Sequence, residues 1–327
     1  MDMQPRPTRV TKRRIFFEGN VFSGFIVGGQ YCKFPALQRG NNVVIWLLTA
    51  SLIWGFSFGL IKGLGTGIDP FVLGVIRAVL AACFFLPWRF AGRRAPLPKK
   101  VQVQAMICGF IQIGLMYGPY QLAFKYLKSH EVALFTMTTP LIMAGLIALS
   151  SRQNMTRLGV AVLVATLGGM VVAWKELGST DLQIGLALVT LSNFLFAGGL
   201  LLWKKWLTPV SDQQLKLMLP YFLGAALAAS LMAALFGHEV RVYSLNEWAL
   251  FLWLGGVASG LGFYFWNKGA LSVSVERLAV ANNIKLPMAI TISIFVFGET
   301  VDWPRLIIGI TLIILALRLA PGHRQTK

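Results

Sequence analysis

One lysine in this 327-residue sequence lies deep inside an apolar stretch. Lys285 falls within the stretch from Leu278 to Gly298, about eight residues, or roughly 12 Å of helical rise, from its start. A lysine at such a depth in a bilayer costs about 2.5–3.5 kcal/mol, so something has to compensate for it. The chemistry open to it is the binding of a carboxylate or phosphate group. The alternative is a structural lysine that extends to headgroups or water.

Two neighbours of Lys285 add polar groups to the same region. Asn282 lies three residues earlier and therefore on the same face of a helix. Pro287 has no amide hydrogen to donate to the carbonyl of Asn283, which leaves that oxygen free. We therefore predict a polar pocket in which Lys285, Asn282 and Asn283 contact an anionic substrate.

An earlier apolar stretch carries a similar proline. Pro140 frees the carbonyl of Thr136, beside Thr138 and Thr139. We predict that Pro140 and Pro287 kink or gate their helices next to the substrate. A kink that serves packing alone is the alternative, because helix bundles routinely find new partners for freed carbonyls.

Aromatic and amide side chains on other stretches could complete the pocket. Rings stack on organic substrates and amides orient them, although Trp and Tyr near the ends of a span also anchor proteins at the membrane interface. Arg77 could either meet the substrate or extend to the interface. The predicted substrate contacts outside the Lys285 region are Trp54, Tyr117, Tyr120, Asn193, Tyr264 and Asn267.

Ten apolar stretches have to position these groups. The chain is 56% hydrophobic and only 13% charged, which gives a soluble protein more apolar surface than it can bury. About 20 apolar residues cross a bilayer as a helix, and the alternating pattern of a barrel is absent. The sequence therefore predicts an all-α membrane protein with ten transmembrane helices. The stretches are Val44 to Lys62, Phe71 to Arg89, Val101 to Leu122, Val132 to Ser150, Leu158 to Trp174, Leu182 to Trp203, Gln214 to Phe236, Trp248 to Asn267, Leu278 to Gly298 and Leu306 to Leu319.

The positive charges set the expected orientation. The net charge is +18, and most lysines and arginines lie in the segments that are cytoplasmic when the N-terminus is inside. This positive-inside bias predicts a protein of the bacterial inner membrane with both termini in the cytoplasm. The excess charge favours contact with membrane lipids over a nucleic-acid partner.

The ten stretches divide into two sets of five. An odd number per half gives the halves opposite orientations, and superposing them aligns Tyr117 with Tyr264 and Pro140 with Pro287. With the matching hydropathy, this favours an inverted repeat, as in many secondary transporters; chance similarity between apolar segments is the alternative. The expected domains are a basic tail at 1–43, mobile or interfacial, five-helix repeats at 44–174 and 182–319, and a cytoplasmic tail at 320–327.

The acidic residues argue against chemistry inside the membrane. All 12 Asp and Glu and the three His lie in loops, tails or the ends of stretches, so a proton relay or sodium site built on a buried carboxylate is not expected. The sequence has no paired acids, Ser/His pair, metal-ligand cluster or phosphate-binding loop with the required spacing. We expect no enzyme activity, no cofactor and no metal.

Several segments resemble those of a known family. The run Trp54 to Phe58, Arg77, the stretch Ala123 to Pro140 and the run Phe297 to Glu299 resemble the EamA branch of the drug/metabolite transporter superfamily. The resemblance covers about residues 44–320. It implies alternating access around a cavity that is lined mainly by spans one, three, four, six, eight and nine.

The sequence from Asn282 to Lys285 also resembles the anion-binding lysine region of sugar-phosphate translocators in that superfamily. Leu286 stands where a second basic residue often follows, which favours a monoanion over a phosphate ester. We therefore expect a secondary transporter of small metabolites, amino acids or other carboxylates, that works as a monomer or homodimer by export or exchange. The alternative is a non-transporting multi-pass protein, either an enzyme on a lipid-borne substrate or a scaffold.

Overall fold

The computed structural model describes residues 42–65, 67–89, 96–151, 155–172, 179–238, 241–272, 278, 282, 285–296 and 298–319. Every regular element in these ranges is a helix. The predicted tails at 1–43 and 320–327 lie outside the described residues, apart from the last two positions of the first tail.

A helix lies at the position of each of the ten predicted stretches. Their ends agree with the predicted ends to within about five residues, except in the ninth, where residues 279–281 and 283–284 lie outside the described part. The helices are α1 (Asn42–Leu64), α2 (Pro70–Phe85), α3 (Lys99–Tyr126), α4 (129–151), α5 (Met155–Val172), α6 (Thr180–Leu207), α7 (Gln214–Phe236), α8 (Leu245–Ser272), α9 (Lys285–Phe295) and α10 (Trp303–Leu319).

The helices differ in how well their length suits a bilayer. Among the described residues, five helical stretches could cross a membrane by length and composition, one of them the continuous run of α6 and α7, and four apolar helices are shorter. The five are Ile45–Leu64, Lys99–Tyr126, Ser129–Ile147, Thr180–Phe236 and Leu245–Ser272, and the shorter four are Pro70–Phe85, Gly159–Gly168, Lys285–Phe295 and Trp303–Ala316.

Several helix starts in the described part carry a capping side chain. At the start of α2, the Asp69 carboxylate accepts from the main-chain nitrogens of Phe71 and Val72 at 2.8 and 3.0 Å, with proline in the first helical position. Ser179 accepts from the main-chain nitrogen of Leu182 at 3.2 Å at the start of α6. These bonds satisfy donors that a helix leaves unpaired, and so fix where the loops end.

Helices of the first half of the chain pack mainly against helices of the second half. α2 contacts α7, α5 contacts α10, and α4 contacts α9. α1 contacts α8 and α9, while α6 contacts α3 and α4. If helices whose numbers differ by five are taken as counterparts, the contacts of α1 with α8 and α9 correspond to those of α6 with α3 and α4. The contacts α2–α7, α4–α9 and α5–α10 each join a helix to its own counterpart. The core between the halves is rich in aromatic side chains, including Trp203, Tyr221 and Trp266.

Two helices contain a π-helical segment, in which each turn holds one more residue than an α-turn. The segments are Phe110–Leu115 in α3 and Trp253–Leu261 in α8. α3 and α8 are the third helices of their predicted halves. A π-segment rotates the residues that follow it relative to an ideal α-helix, and such segments are frequent at functional sites.

Candidate functional site

Side chains from seven helices meet around one internal cavity. Its volume is about 60 Å³, which is room for about four water molecules. The lining residues are Trp54 and Phe58 of α1, Arg77 of α2, Met116, Tyr117 and Tyr120 of α3, Thr136 and Thr139 of α4, Ser192, Asn193 and Phe196 of α6, Phe263 of α8 and Lys285 of α9.

Lys285 is buried, with 7% of its surface exposed, and lines this cavity. Its Nζ donates to Oδ1 of Asn282 at 3.0 Å and lies 5.8 Å from the ring centroids of both Trp54 and Phe58. Among the described residues, no carboxylate lies within ion-pair distance of this amine. An ammonium has three N–H donors. Lys285 therefore keeps donors for a bound anion and does not extend to the surface of the bundle.

Asn282 connects Lys285 to a break in α4. Its Nδ2 donates to the main-chain oxygen of Thr136 at 3.3 Å. Thr136 begins a 3-10 turn that interrupts α4, and its carbonyl oxygen accepts from the main-chain nitrogen of Thr139 and, at 2.7 Å, from the Thr139 hydroxyl. The carbonyl that Pro140 was expected to free is therefore bonded within α4, and the amide of Asn282 adds a further donor from the other half of the chain. Asn282 thus holds the backbone of α4 and the amine of Lys285 at the same time.

Asn193 of α6 binds the same break in α4. Its Nδ2 donates to the main-chain oxygen of Phe135 and to Oγ1 of Thr138, both at 3.0 Å. Asn193 also lines the cavity. Its donor group is committed to α4, so the amide oxygen is the group that can meet a bound molecule.

The position of Arg77 distinguishes between the two roles that the sequence allowed, a substrate contact and an interfacial anchor. Its side chain is only 3% exposed and lines the cavity, so it is not an interfacial anchor. The guanidinium donates to Oγ of Ser259 at 3.2 Å, to Oε1 of Gln121 at 3.3 Å and to the hydroxyl of Tyr117 at 3.2 Å. Its central carbon lies 4.1 Å from the centroid of the Tyr117 ring. All of these partners are neutral.

A continuous series of aromatic contacts joins the two cations. The Trp54 ring lies beside Lys285 and 5.0 Å from the ring of Phe263. Phe263 in turn lies 6.3 Å from Tyr117, on which the guanidinium of Arg77 rests. Nε1 of Trp54 donates to the main-chain oxygen of Ala258 at 2.9 Å, which fixes the indole. The predicted residues Trp54, Tyr117 and Tyr120 all line the cavity.

Two predicted contacts on α8 lie away from the cavity. The hydroxyl of Tyr264 accepts from Nζ of Lys268 at 3.2 Å. Oδ1 of Asn267 accepts from Nε2 of Gln112 at 3.4 Å, and this amide is fully buried. Phe263 rather than Tyr264 lines the cavity on this helix. Tyr264 and Asn267 belong to helix packing in the described conformation.

Two further predictions involve residues outside the described part. Asn283 lies outside it, and so does the carbonyl that Pro287 is expected to free. Pro287 itself is exposed, and its own carbonyl accepts from Oγ1 of Thr291 at 2.8 Å.

Within the described residues, no three His, Cys, Asp or Glu side chains are grouped so as to hold a metal ion.

Comparison with known proteins identifies the family of this chain. Residues 41–174 match the family model described as the EamA-like transporter family. A biotin transporter of Salmonella typhimurium is 30% identical, with 86% of this chain and 95% of the relative covered. A probable biotin transporter of Pseudomonas aeruginosa is 33% identical, with 86% and 99% covered. The chain belongs to the EamA-like transporter family.

A solved structure supports the fold of this EamA-like chain. A crystal structure superposes with a TM-score of 0.60 at 16% identity, over 85% of this chain and 96% of the other. Membership of the family, with its transporter relatives, makes the chain a multi-pass membrane transporter and not an enzyme. The alternative of a lipid-modifying enzyme or a scaffold is therefore wrong.

The cavity lies among the helices that the resemblance to the EamA branch implies, with α2 added through Arg77. Sequence reasoning missed several lining residues: Phe58, Met116, Thr136, Thr139, Ser192, Phe196 and Phe263. Thr136 and Thr139 could have been found from their position near Pro140. The sequence does not distinguish the other residues from similar residues on other helix faces.

A second polar cluster lies outside the cavity. In the loop after α9, the carboxylate of Glu299 accepts from the main-chain nitrogen and the hydroxyl of Ser129 at 3.0 and 2.6 Å, from Nδ1 of His130 at 2.8 Å and from the hydroxyl of Ser293. Burial by itself raises the pKa of Glu299. The hydrogen bonds from His130, Ser129 and Ser293 outweigh it and lower the pKa to about 2.

Proposed function

We propose that this protein carries biotin, or a closely similar monocarboxylate, across the bacterial inner membrane by alternating access. The observation that carries the proposal is the amine of Lys285, which lines the cavity and has one neutral acceptor and no carboxylate among the described residues. Biotin has one carboxylate on a flexible chain and an otherwise uncharged ring system. The relatives that are named biotin transporters support the same substrate.

The charges around the cavity separate the two substrate classes expected from the sequence. The described lining contains two cations, Arg77 and Lys285, and no acid. The ammonium group of an amino acid would lose its hydration there without gaining a carboxylate partner, which is unfavourable. A carboxylate without an ammonium group meets only favourable charge. We therefore favour a simple carboxylate over an amino acid.

The predicted substrate contacts keep distinct roles in this proposal. Lys285 binds the carboxylate and Asn282 orients the amine. Trp54, Tyr117 and Tyr120 contact the uncharged body of the substrate, and the amide oxygen of Asn193 accepts a hydrogen bond from it. Asn283 stays a predicted contact.

We further propose that two inverted five-helix halves rock about this cavity. The pairing of helices supports it, because the contacts of α1 with α8 and α9 are matched by the contacts of its counterpart α6 with α3 and α4. The π-segments in the third helix of each half add support. The cavity is small, at about 60 Å³, and in this proposal the halves separate to admit and release the substrate. Pro140 and Pro287 stay the predicted kink or gating positions.

The proposed arrangement keeps both termini in the cytoplasm, as the positive-inside bias predicts. Membrane lipids surround the bundle, a monomer or a homodimer would suffice, and export or exchange stays the predicted direction. Uptake into vesicles of known orientation, with and without internal substrate, distinguishes net transport from exchange and reveals the direction.

Transport in proteoliposomes tests the proposed substrate. The purified protein should take up radiolabelled biotin, and unlabelled biotin should compete better than amino acids or amines. Lys285→Gln should raise the KM for biotin tenfold or more, because a charged hydrogen bond to the carboxylate is lost. Lys125→Gln is the matched control, since Lys125 is an exposed lysine outside the cavity. Unchanged biotin uptake by Lys285→Gln, or no uptake by the unaltered protein, would overturn the proposal.

A further inference from the structure

Arg77 is the second cation of the cavity, and the binding of one carboxylate leaves it unexplained. Its side chain is 3% exposed. The guanidinium carries five N–H donors, and three of them have acceptors in the described part of the chain, on Ser259, Gln121 and Tyr117. Each terminal nitrogen therefore keeps one donor without a described partner.

The acceptors of Arg77 are themselves held in place. Nε2 of Gln121 donates to the main-chain oxygen of Pro70 at 2.7 Å. The hydroxyl of Ser259 donates to the main-chain oxygen of Leu254 at 2.6 Å and lies 2.5 Å from the hydroxyl of Tyr117. Residues fixed by such a supporting shell hold a functional group to a defined direction. The guanidinium is thus rigidly oriented at the edge of the cavity.

The two cations differ in how far the protein compensates their charge. Arg77 has three neutral acceptors and an aromatic ring 4.1 Å from its central carbon, whereas Lys285 has one acceptor and two rings at 5.8 Å. The less compensated cation gains more from a full negative charge. The carboxylate therefore belongs at Lys285, and a neutral oxygen suffices at Arg77.

Aromatic rings line one side of the cavity between Lys285 and Arg77. Trp54 contacts Phe263, and Phe263 contacts Tyr117, so that an apolar wall runs from the amine of Lys285 to the guanidinium of Arg77. An apolar body could lie along this wall with a polar group at each end. Biotin has this arrangement, with a carboxylate at one end, a sulfur-containing ring and methylene chain in the middle, and a ureido carbonyl at the other end.

We infer that Arg77 determines specificity by donating to the neutral carbonyl oxygen at the end of the substrate opposite the carboxylate, which in biotin is the ureido oxygen. This inference rests on the proposed transport of biotin. It assigns the two cations to different ends of one molecule. It also predicts that carboxylates without such a carbonyl are transported poorly.

Two analogues separate the two ends in the reconstituted transporter. Lipoate has the same five-carbon acid chain on a small sulfur ring but lacks the ureido group, and biotinamide keeps the ureido group but lacks the charge. We expect Arg77→Gln to reduce the preference for biotin over lipoate, expressed as the ratio of kcat/KM values, by roughly 10- to 100-fold. Its preference for biotin over biotinamide should remain. Lys285→Gln should show the reverse pattern.

Ratios within one preparation do not depend on the amount of folded protein. Should Arg77→Gln fail to fold, Arg77→Lys keeps the charge but not the two forked donors, and should transport both acids with a reduced preference for biotin. An unchanged biotin-to-lipoate ratio in the variant that folds would overturn the inference alone. Loss of the biotin-to-biotinamide preference in Arg77→Gln would also overturn it, because the carboxylate would then lie at Arg77. Failure of the unaltered protein to transport biotin overturns the proposed function and this inference together.

Discussion

Nδ1 of His130 lies 2.8 Å from Oε2 of Glu299, and the two residues belong to different predicted halves of the chain. Glu299 also accepts two hydrogen bonds from Ser129, the first residue of α4. A carboxylate at this position satisfies a free main-chain donor and is stabilised by the dipole of the helix. The cluster connects the loop after α9 to the start of α4.

Glu299→Gln should lower the free energy of unfolding by about 1–3 kcal/mol, because a glutamine cannot accept all the hydrogen bonds that the carboxylate accepts and lacks its charge. Reversible unfolding in mixed micelles measures this difference. Glu247→Gln is the control, since the Glu247 carboxylate likewise accepts from a serine, Ser244, and a basic side chain, Arg241, but at an exposed site, where such contacts add less. Equal losses in both variants would show that the His130–Glu299 cluster contributes no more than a surface pair.

The contribution of Glu299 should depend on pH in one direction only. Its pKa is about 2 in the folded protein, below the ordinary value of about 4.3 for glutamate. A lowered folded-state pKa stabilises the protein above the unfolded-state pKa, and this stabilisation is lost as the pH falls toward 2. The difference in unfolding free energy between the unaltered protein and Glu299→Gln should therefore shrink as the pH falls from about 4.5 toward 2. A difference that grows over this acidic range contradicts the assignment.

Hydropathy and proline chemistry explain what the sequence could predict. The helices follow from apolar length, and the pocket at Lys285 follows from one buried charge with Asn282 on the same helical face. Pro140 indicated an irregular backbone near Thr136, and the structure has a 3-10 turn there, but the Thr136 carbonyl accepts from Thr139 as well as from Asn282 and is not free. These are local properties, which a single helix can reveal without its neighbours.

Helix rotation and packing explain what the sequence could not predict. Arg77 is compatible with either an interface or a cavity until α3 and α8 surround it with Tyr117 and Ser259. Phe263 lines the cavity and its neighbour Tyr264 does not, and hydropathy cannot distinguish two adjacent aromatic residues of one helix. The His130–Glu299 contact joins distant parts of the chain, and no periodic pattern predicts it.

Adjacent glycines in α6 should respond differently to the same substitution. A Cβ at Gly199 would lie 2.4 Å from Cβ and 2.7 Å from Cα of Gln112 in the π-segment of α3, whereas a Cβ at Gly198 meets nothing within 4 Å. Gly199→Ala should therefore cost about 1–3 kcal/mol of unfolding free energy by overpacking. Gly198→Ala, the matched control, should cost nothing measurable. Similar stability of both variants would contradict the close approach of α6 and α3.

Asn282 offers the strictest test of an uncompensated amine at Lys285. Its Oδ1 lies 3.0 Å from the amine, so Asn282→Asp places a fixed carboxylate beside it with little change in shape; the amide donor to the Thr136 carbonyl is lost here and equally in Asn282→Ala. That charge would compete with the substrate, and the KM for biotin should rise tenfold or more. Asn282→Ala removes the acceptor without adding a charge and should impair binding less.

The order of these two variants separates a binding role from a structural one. If Lys285 binds the substrate carboxylate, affinity should fall in the order unaltered protein, Asn282→Ala, Asn282→Asp. If the pair only stabilises the bundle, the order reverses, because aspartate still accepts from Lys285 while alanine leaves the buried amine without an acceptor. Initial rates of biotin uptake at several concentrations measure the order, and the unfolding free energy of each variant shows whether loss of structure contributes.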